Sequence, residues 1–458
     1  MTTPGKNLFL LPVLINGLGL MLAGQVTAQT ISTVYTFTPT SYPNTPYTNS
    51  DGGFPIAGLT LLGSTLFGTT ANGGTAGNGT IFAVNTDGTG FATLYSFTAT
   101  NGSGFIFTNR DGASPNGLVL SGNTLYGTAG GGGTSGGGTV FKLNTNGFTV
   151  LHTFTNGADG ITPKGGLILS NNILYGTTWL GGTGGWGTVF KLKTDGTGFN
   201  VLHGFTNTGD GAEPYAGLVL SGNTLYGTAG TVFKVNTDGT GFAVLHSFAG
   251  SSDGGPFGGL VLSNNTLYGT TGLGGNGTVF KLNTDGTNYG VLHRFTGADG
   301  ANPHGDLLLS GSTLYGTAYR GGDFGYGAVF AVNTDGMGFT NLYSFPAGTD
   351  GALPIAGLIL SENTLFGTTQ YGGSAGNDGT VFSLSLPLGP PQLTIFASAP
   401  NVILAWPTAA TGFRLQASTN FGSSAIWTTN LPAPVVVNGQ NTVTNPISSK
   451  QQFFRLGQ

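Results

Sequence analysis

Residues 217–248 read Gly-Leu-Val-Leu-Ser-Gly-Asn-Thr-Leu-Tyr-Gly-Thr (217–228), Ala-Gly (229–230), Thr-Val-Phe-Lys-Val-Asn-Thr-Asp-Gly-Thr-Gly-Phe (231–242) and Ala-Val-Leu-His-Ser-Phe (243–248). Four apolar and Thr-rich runs of strand length alternate here with turn residues. Ser221-Gly222-Asn223 makes one tight hairpin, and Asp238-Gly239 supplies the positive φ for another. The link Ala229-Gly230 is so short that the second and third runs must be adjacent antiparallel strands.

Working outward, the Leu-Tyr/Phe-Gly-Thr signature begins at Leu66, Leu125, Leu174, Leu225, Leu267, Leu314 and Leu365, at spacings of 59, 49, 51, 42, 47 and 51 residues. A period near 50 with four short strands per unit predicts an all-β fold, a seven-bladed β-propeller over residues 29–386. The fourth strand runs to the next unit through about a dozen residues carrying Asp-Gly-x-x-Pro, read as the crossover between blades. The last unit stops after its third strand, Gly379 to Leu384, while an orphan fourth strand, Thr33 to Phe37, sits at the other end. The N-terminal strand is therefore expected to complete the seventh blade and remove two open sheet edges.

Composition agrees with this and excludes several functions. Charged residues are 7% of the chain and glycines number 86, against roughly 25% charged in ordinary domains. With 13 Lys and Arg spread thinly and a net charge of −4, no basic stripe exists to neutralise phosphates, and no nucleic acid partner is expected. Lys6, the apolar run from Leu8 to Leu22 and Val26-Thr27-Ala28 predict a signal peptide, residues 1–28, cleaved after Ala28. The mature chain is then secreted, cell-surface or periplasmic, without a transmembrane segment. It has no Cys, so packing and closure must hold it together. A monomer is expected.

After the proline-rich linker at 387–391 the repeat ends. Residues 392–458 alternate apolar and polar positions, which predicts a small β-sandwich of fibronectin or immunoglobulin type with Trp406 and Trp427 in its core.

The signatures, the Gly-Thr-Val-Phe runs and the Asn-Thr-Asp-Gly turns resemble the tandem repeat called GloVer, found in secreted bacterial proteins with varied C-terminal anchors or modules. The resemblance covers roughly residues 31–386 and implies export and repetition. The C-terminal stretch is similar to a module appended to many such secreted proteins.

Most of the chemistry-bearing side chains belong to the repeat. His152, His203, His246 and His293 share one position with Tyr35, Tyr95 and Tyr343, so the site calls for a flat ring with a polar tip and is read as structural. Asp51, Asp111, Asp159, Asp210, Asp253, Asp299 and Asp350 open the crossover turns. Asp before Gly suits a turn on local grounds. The alternative is Ca²⁺ binding, with Asp159, Asp210, Asp299 and Asp350 as the candidate ligands.

Departures from the repeat are the places to look for specificity. His304 and Asp306, with Asp323, form the candidate catalytic group of an extracellular carbohydrate-active enzyme, a hydrolase or lyase. No phosphate loop or His-Glu-x-x-His accompanies them. Loops on one face carry Trp179, Trp186, Tyr319, Arg320, Asp323, Tyr326 and Tyr371, which suit a polysaccharide or an extracellular protein as ligand. The leading expectation is a binding or scaffolding module; the enzyme is the alternative. A β-helical adhesin is disfavoured by the displaced N-terminal strand.

Overall fold

The structure, a computed structural model, describes residues 29, 31–41, 47–103, 106–155, 157–248, 254–272, 275–373 and 377–386 of the repeat region. Beyond it, 393–398, 401–407, 414–419, 426–429, 431–437, 440–446 and 452–457 are described. The expected signal peptide, the linker at 387–391 and Asp253 lie outside these residues.

The fold is all-β and β-propeller-like. Among the described residues its one helical element is the 3₁₀ turn Gly348–Asp350, and no helix is long and apolar enough to cross a membrane. The phrase at 217–248 becomes the strands Val219–Ser221, Thr224–Thr228, Thr231–Asn236 and Ala243–Ser247, hydrogen-bonded in that order as one antiparallel sheet. Six further four-stranded sheets follow the other copies of the phrase, and we number the seven 1 to 7 by their Leu-Tyr/Phe-Gly-Thr signatures. In sheet 7 the strands Ile359–Ser361, Thr364–Thr369 and Thr380–Ser385 are joined by Ile31–Thr36, which pairs antiparallel with Thr380–Ser385. The 59-residue spacing after the first signature is taken up by a two-stranded hairpin, Asn101–Ser103 with Ile106–Thr108.

The repeated residues are fixed by packing. Leu225, Phe233 and Val235 are fully buried. A Cβ at Gly227 would lie 2.6 Å from Phe233 Cζ and 2.7 Å from Leu218 Cδ2, so the tyrosine-glycine step has no room for a side chain. The third and fourth strands slip register at one place in every sheet, as between Val232 and Phe233. That bulge turns the His or Tyr of the fourth strand towards the crossover. Twelve of the largest fully buried side chains are phenylalanines of the third and fourth strands or just beyond.

Each sheet shares a core with the next. The cluster of Tyr175, Val189, Leu218 and Phe233 joins sheets 3 and 4, and that of Phe366, Val381, Leu59 and Phe82 joins sheet 7 to sheet 1. A second connection runs through threonine hydroxyls. Thr69 Oγ1 donates to Asn116 O, Thr177 to Ala216 O, Thr228 to Gly258 O and Thr317 to Ala356 O, each reaching the next unit's crossover. Thr368 donates to Ala57 O, from the last unit back to the first.

In the C-terminal stretch a four-stranded sheet contains Thr394–Ser398, Asn401–Pro407, Gln440–Pro446 and Val435–Val437, and a two-stranded sheet pairs Arg414–Ser418 with Phe453–Gly457. Leu404, Trp406, Leu415 and Val443 form their shared buried cluster. Trp427 corrects the sequence expectation: it is only half-buried and stands outside that cluster, with the Arg455 guanidinium 4.3 Å from its ring centroid. An exposed neighbouring cation stabilises the ring where it lies.

Candidate functional site

The crossovers position the site. Each enters through Asp-Gly and a proline, and the residue before that proline is left-handed without being glycine in six units: Phe54, Ser114, Thr162, Glu213, Asn302 and Leu353, with φ from 52° to 58°. Such backbone costs of order 1–3 kcal/mol per residue and persists only where the surroundings hold it. Backbone bonds do so here. Thr162 N donates to Gly137 O of the preceding unit, and Thr162 O accepts from Trp179 N. Glu213 N donates to Trp186 O, and Leu353 N to Tyr326 O. The crossovers and the loops between second and third strands are thus stitched together on one face, with bridges such as Ala301 to Arg320 and Ala352 to Tyr371.

The held residues aim inward. The residue following each proline is Ile56, Asn116, Lys164, Tyr215, Phe257, His304 and Ile355, and all seven line one cavity of about 310 Å³ between the sheets. Six residue types fill these seven positions although the motif around them repeats, and four of them form an arc. Lys164 Nζ lies 5.0 Å from the ring centroids of both Trp179 and Tyr215. Tyr215 meets Phe257 edge to face at 5.5 Å, Phe257 meets His304 at 4.5 Å, and His304 lies parallel to Tyr319 at 5.2 Å. Arg320 closes the arc with its guanidinium 5.5 Å from the Tyr319 centroid. Burial holds the Lys164 ammonium below its ordinary pKa.

Deeper in the cavity the lining narrows to backbone. A Cβ at Gly217 would sit 3.0 Å from Gly166 O and one at Gly357 3.0 Å from Asp306 O. Asp306 stands where the other units keep glycine. Its carboxylate keeps accessible surface towards the cavity, with protein packed around it, and accepts from Gly259 N at 2.5 Å. Burial pushes its pKa up against that bond. The threonine relay is interrupted beside it, since the buried Thr270 hydroxyl has no partner.

The candidate residues separate into groups. Trp179, Tyr319, Arg320 and His304 belong to the arc. Tyr371 lies edge to face with Phe54 at 5.2 Å, and both line a second pocket of about 520 Å³ with Gln370 and Asp378. Trp186, Asp323 and Tyr326 are exposed and line neither. His304 and Asp306 share the cavity, but among the described residues no hydrogen bond or ion pair joins them to each other or to Asp323. Lys164, Tyr215 and Phe257 escaped the sequence reading. Comparing residues after the repeated proline is the signal that finds them.

The repeated His and Asp columns turn out to be partners. His152 Nε2 lies 3.3 Å from Asp159 Oδ2, His203 Nε2 3.2 Å from Asp210 Oδ2 and His293 Nε2 2.9 Å from Asp299 Oδ2. Tyr35, Tyr95 and Tyr343 donate to Asp51, Asp111 and Asp350 in the same way. Thr155, Thr206 and Thr296 donate both backbone N-H and hydroxyl to their carboxylates. The same rings stack on the next unit, His203 on Phe242 at 3.6 Å and His293 on Phe339 at 3.5 Å. The proposed Ca²⁺ ligands Asp159, Asp210, Asp299 and Asp350 are therefore each engaged separately, and among the described residues no three acidic or His side chains converge.

His304 sets a pH dependence. Burial, with the Arg320 charge adding to it, holds the imidazole at about 4 against an ordinary 6.5. The unfolded chain takes up this proton near pH 6.5 and the folded chain only near pH 4, so stability is complete above pH 6.5 and falls as the pH drops towards 4. The loss is on the order of 2–3 kcal/mol. His304→Phe is expected to flatten that limb of a plot of Tm against pH. An unchanged limb would assign it instead to His152, His203 and His293, which burial also holds below their ordinary value.

Comparison with known proteins places the chain by its repeat. Among solved structures it is similar to the computationally designed Ika8 protein, at 15% identity over 87% of this chain and 99% of that one, with a TM-score of 0.43. It is also similar to BamB from Moraxella catarrhalis, at 15% identity over 73% and 84% of the two chains with a TM-score of 0.41, and to a chain of a nidogen/laminin complex, at 16% over 54% and 84% with a TM-score of 0.37. No curated protein matches it. The Gloeobacter/Verrucomicrobia repeat matches residues 16–229 and 228–401, most of the chain, and the protein belongs to that family.

Proposed function

We propose that the protein is an exported, non-enzymatic binding module: a closed seven-bladed propeller that holds a polysaccharide at the mouth of its central cavity. Closure is supported by the shared core between sheets 7 and 1 and by the Thr368 bond back to Ala57. The observation that carries the binding site is the arc itself. Seven equivalent positions converge on one cavity, and four consecutive ones, Lys164, Tyr215, Phe257 and His304, depart from aliphatic or amide character to present rings and a cation.

Rings with partly exposed faces stack on the apolar faces of sugars, and the strained, backbone-pinned lead-ins at Thr162, Glu213 and Asn302 hold Lys164, Tyr215 and His304 in place before a ligand arrives. The repeated Asp and His side chains are consumed by the fold, which leaves the arc as the individual feature. Native gels cast with a panel of soluble plant, algal and bacterial polysaccharides test this. Retardation of the wild type by at least one polymer, lost in Trp179→Ala/Tyr215→Ala, is expected. No retardation by any, or retardation that survives the double substitution, would overturn it.

A further inference from the structure

The two ends of the arc are cations without counter-charges. Lys164 Nζ lies between two rings and Arg320 lies over a third; among the described residues no ion pair joins either to a carboxylate. In a chain with 17 acidic and 13 basic residues, this requires that the acids be placed elsewhere, and they are. The crossover carboxylates of Asp159, Asp210 and Asp299 bond the fourth-strand rings and threonines. Asp195, Asp238 and Asp285 are spent on the hairpins, each accepting from the backbone and hydroxyl of the threonine two residues on. Near the arc stand the exposed Glu213 and Asp323, neither within ion-pair reach of it, and Asp306 below.

Resting on the reading above, we propose that the arc selects an anionic polysaccharide. Acidic groups on successive sugars engage Lys164 and Arg320 while the sugar rings between them lie on Tyr215 and Phe257. A half-buried ammonium that has lost water without gaining a carboxylate offers a charge-assisted bond to a ligand anion at low further desolvation cost. The carboxylate of Asp306 lies beneath the ligand, so a polymer threading deeper into the cavity is repelled and the anion is kept at the mouth.

Isothermal titration of the full chain with polygalacturonate, its fully methyl-esterified form, dextran sulfate and dextran tests the inference. Polygalacturonate is expected to bind at least about tenfold tighter than its ester, with the gap closing at high salt. Lys164→Met and the surface variant Arg320→Gln should each weaken the acid form about tenfold and the ester by a smaller factor. Binding of dextran sulfate alone, weakened by the same two variants, would support the charge chemistry with sulfate as its source. Measurable and equal binding of acid and ester, or no loss of anion binding in Arg320→Gln, would overturn the inference. If binding to ester or dextran is still abolished by Trp179→Ala/Tyr215→Ala, the aromatic site stands and only its charge selectivity fails. If no polymer binds, both fall.

Discussion

Deleting residues 29–38 is expected to lower the Tm by more than any internal strand-edge change. The strand Ile31–Thr36 forms a ladder with Thr380–Ser385, and Phe37, just past it, is fully buried against Phe82 and Phe91. Tyr35 lies flat on Phe91 of sheet 1 at 3.7 Å and donates to Asp51 at 2.8 Å; Thr38 donates its backbone N-H to the same carboxylate at 2.9 Å and its hydroxyl as well. Removing the strand uncovers a phenylalanine cluster, strips Asp51 of these donors and exposes the edge of Thr380–Ser385.

The cavity left by Phe37→Ala alone costs about 3–5 kcal/mol. At roughly 2–4 °C per kcal/mol, that is a fall of about 10 °C, and the deletion should exceed it and broaden the transition. A melt unchanged by the deletion would contradict closure through this strand.

The second large effect is on binding. Trp179 and Tyr215 flank Lys164 from two different units, so substituting either by Ala removes a stacking face and half of the cation's surroundings. Buried aromatic anchors lose about 2 kcal/mol or more on truncation, close to a thirtyfold loss in affinity. Because both rings contact one ammonium, the double variant should lose less than the product of the two single effects. Both side chains are partly exposed, so their melts should stay near wild type. A change in affinity below twofold in both single variants would remove the arc from the binding site.

The fold was legible because the phrase at 217–248 is stripped to minimal turns. Ala229-Gly230 forces antiparallel neighbours, and the other six copies differ mainly in loops. The partnership of the His and Asp columns was not legible in the same way. The separation is seven residues for His152 and Asp159 or Tyr343 and Asp350, but six for His293 and Asp299 and sixteen for Tyr35 and Asp51. Loops of different length hide a constant contact behind varying spacing.

The aromatic loops show a further limit. Trp179 and Trp186 lie in one connection, yet Trp179 directly follows the second strand and meets Lys164, while Trp186 precedes the third strand and is exposed. Sequence places both on one face, and only the tilt and twist of the sheets decide which reaches Lys164. The same twist brings Lys164, Tyr215, Phe257 and His304 together from positions about 50 residues apart in the chain.

Hydrogen-deuterium exchange with and without a retarded polysaccharide puts the binding account to its most direct test. Protection is expected in the backbone segments after the repeated prolines at 164–167, 215–218, 257–260 and 304–307, with the Asp-Gly hairpins at 86–90, 194–198 and 237–241 unchanged. Protection confined to those hairpins or to residues 393–457, with the proline-following segments unaffected, would contradict it.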